Sequence, residues 1–346
     1  MTKPDKPISE TQLDFLQDKF QRLHHLVQTE VLQQMSQLGI TGASHIIDES
    51  LSDVVFAIDR ACEQVVLDFC CRQLSQDFSF VLIAEGIGEP NYLIFPDGVT
   101  EEQAQYRVVM DPIDGTRSLM FDKRSAWILT GIAVNRGDVT NLSDLFFAMQ
   151  TEIPISKQGW MDQWWSSKIS ATRGVRWQRF SNQLTDISPA PSPELSILQG
   201  YASFVKFLPH GKELLANMEA KWAQRLFGAT LTNEIMYFDD QYLCSGGQLH
   251  ELIAGHDRFI ADLRGLVGAV LQQQGKKAGL SCHPYDLCTE LVARQAGVLI
   301  TDIRGNQLAT PLDTTTAVSW LGFANQAIYQ QVMPALQQVL SDSGWI

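Results

Sequence analysis

From residue 9 to 40, Leu, Phe and Val recur at helical intervals through a Gln-rich stretch without proline, which predicts one long amphipathic helix. A second helix is expected over 59–75. Short runs rich in β-branched and aromatic residues follow at 79–84, 106–111, 125–135 and 143–151, and these predict four strands of an antiparallel or mixed sheet carrying helices on one side. The stretch 156–195 has no clear period; it holds Trp160, Trp164, Trp165 and Trp177, then Pro189, Pro191 and Pro193, and its Pro-rich end reads as a domain junction. The tryptophans read as packed aromatic core, with a gate over a substrate cleft as the alternative. Beyond the junction the pattern predicts a strand at 195–201, a helix at 209–224, a helix at 229–254 broken by Gly246-Gly247, and a strand at 257–262. A helix at 286–296, a strand at 297–302 and a terminal helix at 325–341 follow. The chain thus divides into an N-terminal α+β domain, 1–195, and a C-terminal α/β domain, 196–346.

Composition narrows the class. A chain of 346 residues, 45% hydrophobic and 19% charged, can bury a large core and is no disordered polymer. No apolar run approaches the roughly 20 residues a membrane-spanning helix needs. Residues Met1 to Pro7 lack the apolar core of a secretory signal, so a cytoplasmic protein is expected. Cys62, Cys70, Cys71, Cys244, Cys282 and Cys288 show no C-x-x-C spacing and read as buried free thiols. A net charge of −13 argues against binding nucleic acid or an anionic membrane.

The candidate chemistry lies in Asp111-Pro112-Ile113-Asp114-Gly115-Thr116, directly behind the predicted strand that ends at Met110. Two carboxylates three positions apart, a proline between them, then a glycine and a hydroxyl suit a divalent cation and a phosphate: Mg2+ takes one or two carboxylates and fills its shell with water and phosphate oxygens. Gly115 lets backbone come close to an anion, and the amides of Gly115 and Thr116 are free to point at it. Ordinary turn chemistry, with Asp bonding local amides, is the competing reading of these six residues.

The string resembles the signature of the inositol monophosphatase superfamily, which includes inositol monophosphatases, fructose-1,6-bisphosphatases and nucleotide bisphosphate phosphatases. Further matches are His283-Pro284-Tyr285-Asp286 leading to Ala296-Gly297, the strand Phe80 to Ala84 ending on Glu85, the segment Asp53 to Asp59, and Gly246-Gly247 through Asp262. Tyr285, Gln295, Val298, Gly86 and Phe56 depart from the usual family residues.

The resemblance implies a layered fold in which helices and two sheets alternate, an α+β to α/β sandwich, with a metal site between two domains. It implies two or three Mg2+ ions held by Glu85, Asp111, the carbonyl of Ile113, Asp114 and Asp286, with Asp111 bridging and Glu89 competing with Glu85 as upstream ligand. Asp286 also reads as a helix N-cap. Thr116 with Asp59 would orient and deprotonate a metal-activated water that attacks phosphorus directly, with Glu85 part of the catalytic set. Gly115, Thr116, Arg117 and Asp262 would contact the substrate, a small phosphorylated polyol such as an inositol or sugar phosphate. Lithium sensitivity and a homodimer come with the resemblance. The alternative is a silent relative that binds metal and acts as a regulatory or interaction protein.

Overall fold

The N-terminal apolar positions become one face of α1 (Glu10–Ala43), where Leu16, Phe20, Leu23, Val27 and Val31 are all buried at spacings of three and four. The structure is a computed structural model and describes residues 8–43, 46–49, 54–88, 92–181, 183–228 and 236–346. After α1 come β1 (Ile46–Glu49) and β2 (Val54–Phe56), an antiparallel pair, and α2 (Ala57–Arg72), whose Ile58, Cys62, Val66 and Phe69 face α1. Next are β3 (Phe80–Ala84), β4 (Leu93–Phe95), β5 (Tyr106–Asp114), α3 (Thr116–Met120), β6 (Ala126–Val134), β7 (Leu145–Ile153), β8 (Trp160–Ser167), β9 (Ser170–Gln178) and β10 (Gln183–Ile187). The remainder is β11 (Tyr201–Phe204), α4 (Lys212–Phe227), α5 (Ser245–Ile253), β12 (Asp257–Asp262), α6 (Arg264–Gln273), α7 (Glu290–Gln295), β13 (Leu299–Thr301), β14 (Trp320–Phe323) and α8 (Gln326–Asp342).

The large sheet runs β10-β9-β8-β7-β6-β5-β3-β4 and is antiparallel except where β3 lies parallel to β5. In β3, Phe80, Leu82 and Ala84 belong to the core that holds α1 and α2 while Val81 and Ile83 belong to the core that holds α5 and α7, so an unbroken apolar run serves two buried faces. Helices therefore cover both sides of this sheet, not one as the sequence suggested. The smaller sheet, β11-β12-β14-β13, repeats the arrangement: Phe259, Leu321 and Phe323 face α4 and α8, whereas Ile260 and Trp320 join the core around α5 and α7. Five layers result, helix, sheet, helix, sheet, helix, as the expected alternation of helices and two sheets requires. The middle helices are shared by both sheets.

Three differences from the predicted elements have physical reasons. The stretch 160–187 is three strands of the large sheet; their ladder is held by polar pairs, Arg176 Nε donating to Asp162 at 2.6 Å and Gln163 Nε2 to Thr151 at 2.7 Å, so apolar alternation is weak. Trp164 is buried there, while Trp160 is 46% exposed. Of the helix expected at 229–254, residues 229–235 lie outside the described ones and the helix occupies only Ser245–Ile253. Gly246 and Gly247 open it and do not break it, since a Cβ on Gly247 would stand 2.1 Å from the Tyr242 ring. The helix α6 and the strand β14 were not anticipated. Five of the six cysteines are buried and all are free thiols, with Cys71 exposed. No helix among the described residues is long and apolar enough to cross a membrane.

Candidate metal centre

Asp111 and Asp114 would point to opposite faces of a regular strand, because three is an odd spacing on a period of two. The register of β5 against β6 shifts between them, and the peptide of Ile113, in place of continuing the ladder, donates its N–H to Asp111 Oδ1 at 2.9 Å. Pro112 has no N–H to contribute there. This irregularity re-aims the two carboxylates towards one point. Gly115 follows at φ +98°, and a Cβ on it would approach Cys244 Sγ to 3.0 Å, so both the turn and the packing call for glycine.

Asp286 comes from the middle layer, in a single 3-10 turn, Tyr285–Leu287, where its Oδ2 accepts the His283 N–H at 2.6 Å. It is no helix N-cap: α7 begins at Glu290 behind Thr289. Carboxylate oxygens of Asp111, Asp114 and Asp286 lie within 4.8 Å of one another, Asp111 and Asp114 being buried. Glu85, half-buried at the end of β3, stands outside this tight trio but near enough for its charge to act on Asp111. Glu89 and Asp53 lie outside the described residues.

Burial, then the charges of Glu85, Asp114 and Asp286, hold the Asp111 carboxyl well above its ordinary range. Burial and Asp286 push Asp114 up as well, against the opposing pull of the Gly246 amide and the Arg264 guanidinium. Such a cluster must take up protons or a cation. Its all-oxygen donor set fits a hard divalent ion.

The remaining candidates fall into two groups. Thr116 Oγ1, half-buried, shares its one proton between Asp59 Oδ1 at 3.0 Å and the Ile113 carbonyl at 2.8 Å, so it joins α2 to the β5 turn. Gly115 and Arg117 flank it, with the Arg117 side chain exposed. Asp262 is elsewhere engaged: at the end of β12 it is fully buried, and Arg264 donates to it from Nε at 2.9 Å and from Nη2 at 2.6 Å. Sequence reasoning missed Arg264 and the Gly246 amide, which donates to Asp114 Oδ2 at 2.5 Å. An arginine two places beyond a strand-end aspartate was the available signal for the first.

No family model matches the sequence, and no curated protein matches it. Solved structures do. The MJ0109 gene product, an inositol monophosphatase-fructose 1,6 bisphosphatase, superposes with a TM-score of 0.60 at 15% identity, covering 94% of this chain and 99% of its own. The chain has the inositol monophosphatase fold. Leishmania major fructose-1,6-bisphosphatase in its holo form gives 0.58 at 15% identity, with 97% and 99% covered, and the Thermotoga maritima IMPase gives 0.58 at 14%, with 94% and 99% covered. These likenesses extend over nearly the whole of each chain, so the inositol monophosphatase fold here accounts for both sheets and the middle layer that carries Asp286.

Proposed function

We propose that the protein is a Mg2+-dependent phosphomonoesterase that hydrolyses a small phosphorylated polyol, an inositol phosphate or a sugar phosphate, in the manner of the phosphatases whose fold it shares. The observation that carries this reading is the convergence of Asp111, Asp114 and Asp286 within 4.8 Å beside the Gly115-Thr116 turn. Asp111, Asp114, Asp286, Glu85 and the Ile113 carbonyl are the groups that would hold two or three Mg2+ ions. When bound, the ions supply Lewis-acid activation of water and neutralise charge on the transferring phosphoryl group.

The chain's own groups do the rest. Gly115, whose positive φ turns the chain into α3, and the first amides of α3 cradle the phosphate. Thr116 Oγ1 accepts a hydrogen bond from the attacking water and relays its proton to Asp59, a modest base sufficient for an already acidified water. Arg117, exposed at the rim, reaches the phosphate oxygens. Water attacks phosphorus, the P–O ester bond breaks, the departing alkoxide takes a proton from solvent water to leave as the alcohol, and Asp59 returns its proton to solvent, with inorganic phosphate as the other product.

The test is phosphate release from a panel of phosphomonoesters with and without Mg2+, followed by a lithium titration. Mg2+-dependent release from at least one small ester is expected. Mg2+ binding without release from any of them would leave a metal-binding regulator as the better description.

A further inference from the structure

Helix α2 turns two carboxylates towards the metal centre, and the mechanism uses only one of them. Asp59 and Glu63 are four residues apart, so they lie one above the other on a single face. Asp59 Oδ1 accepts from Thr116 Oγ1 at 3.0 Å, which fixes that face against the β5 turn. Glu63, one helical turn on, meets the end of β3. A Cβ on Gly86, whose φ is +72°, would stand 2.7 Å from Glu63 Oε1 and 3.4 Å from its Cδ. The Glu63 carboxyl therefore occupies the space that a side chain at residue 86 would fill, against the turn that directly follows Glu85.

β3 runs parallel to β5 with Ala84 opposite Met110, and the Glu85 N–H donates to the Met110 carbonyl at 3.3 Å, so Glu85 and Gly86 come level with Asp111. Glu63 thus lies one turn of α2 from the Thr116 contact and against the residue next to Glu85. Its side chain is 13% exposed. Arg60 Nη1 approaches Glu63 Oε2 at 3.4 Å, but that guanidinium is 56% exposed, and such surface pairs are weak. It cannot offset Asp59, Glu63 and Glu85 together, so this wall of the site calls for a cation from solution. A purely structural cover over Gly86 would need no charge.

We propose that Glu63 is a positioning residue of the metal centre, which holds the water shell of the divalent ion on the Glu85 side and so tightens its binding. This deepens the phosphatase reading and rests on the ion site of that reading. Glu63 stands outside the trio whose oxygens lie within 4.8 Å of one another. A carboxylate so placed suits the task, since Mg2+ gives up its waters reluctantly and is held partly through them.

Mn2+ serves as the probe, because free and bound ions are distinguished by electron paramagnetic resonance. Titrated into the full chain, it should show Glu63→Gln binding its weakest ion about tenfold less tightly than the wild type, the loss of roughly one charged contact. Gly86→Ala, which pushes the carboxylate aside without deleting it, should lose affinity in the same direction. Arg60→Ala, which removes the exposed partner of the pair, should leave Mn2+ binding within about threefold. Full affinity in Glu63→Gln, or an equal loss in Arg60→Ala, overturns the assignment. Glu63-dependent Mn2+ binding with no phosphate released from any ester would sink the phosphatase reading and leave the Glu63 assignment standing; Mg2+-dependent release with Mn2+ binding indifferent to Glu63 would do the reverse.

Discussion

Gly246, in the first turn of α5, donates its N–H to Asp114 Oδ2 at 2.5 Å, and this one bond ties the middle layer to the large sheet at the metal centre. There is no space for a side chain at that point: a Cβ on Gly246 would meet Leu129 Cδ2 at 2.7 Å, Trp127 Cβ at 2.9 Å and Asp114 Oδ2 at 3.0 Å. Gly246→Ala should therefore cost about 1–3 kcal/mol of stability, the usual toll of overpacking. It should also weaken Mg2+ binding about tenfold by turning Asp114 aside, a loss equal to roughly one charged hydrogen bond. Denaturant titration and calorimetry measure the two effects separately.

Asp111→Asn and Asp114→Asn should each abolish Mg2+-dependent phosphate release. Both should also raise the melting temperature measured in a chelator, because a neutral amide removes repulsion that burial makes expensive. A functional carboxylate that destabilises the bare fold gives this opposite pair of signs, which a purely structural one would not. Retained turnover in either variant would refute the ligand assignment.

Metal binding should release protons. Asp111 and Asp114 are held above their ordinary range without a cation, and a ligand carboxylate must be ionised to bind one. Calorimetry of Mg2+ binding in buffers of different ionisation enthalpy should show net proton release that shrinks as pH rises, with affinity increasing over the same interval. Equal affinity at pH 5.5 and 8 would count against the shared site.

Arg117→Ala should raise KM several-fold and leave the metal requirement unchanged, since the side chain lies exposed beside the turn and outside the carboxylate trio. Unaltered KM and turnover would remove it from the substrate contacts.

Away from the site, His24 is buried in α1, with Nδ1 2.7 Å from Thr151 Oγ1 and Nε2 2.8 Å from Thr130 Oγ1. Burial lowers its pKa to about 3 from the ordinary 6.5. The unfolded chain takes up that proton near 6.5 and the folded chain only near 3, so this residue's contribution is fully present above 6.5 and is lost as pH falls towards 3. Asp257 and Glu290, both pushed up to about 7 by burial, act with the opposite sign over 4 to 7. The comparison must be with His24→Gln: between pH 7.5 and 5 the wild type should lose about 2 kcal/mol more than the variant, read from urea midpoints.

The parts of the fold legible in sequence were those where one physical rule dominates. The spacing of Leu16 to Val31 reads as a helix, and the run Phe80 to Ala84 reads as a strand, though the burial of both its faces was not anticipated. Strands β8 to β10 escaped because their ladder rests on pairs such as Arg176 with Asp162, invisible until the partner strand is known. At the site, Asp111 and Asp114 could be named from one local string and Asp286 only through the resemblance, whereas their convergence depends on a register shift in β5 and on a turn from another layer. Asp262 shows the limit in another way: its position at a strand end is readable, but the Arg264 guanidinium that occupies it becomes visible only in the folded chain.

The trio draws Asp111 and Asp114 from the end of β5, an interior strand of one sheet, and Asp286 from the helical layer that a second sheet also leans on. A polypeptide severed in the proline-rich link between Ile187 and Tyr201 would leave each fragment with an incomplete set of ligands. Chelation-sensitive reassociation of two such fragments would then report directly on whether the layers have docked, making the ion a checkpoint for the finished architecture as well as a reagent.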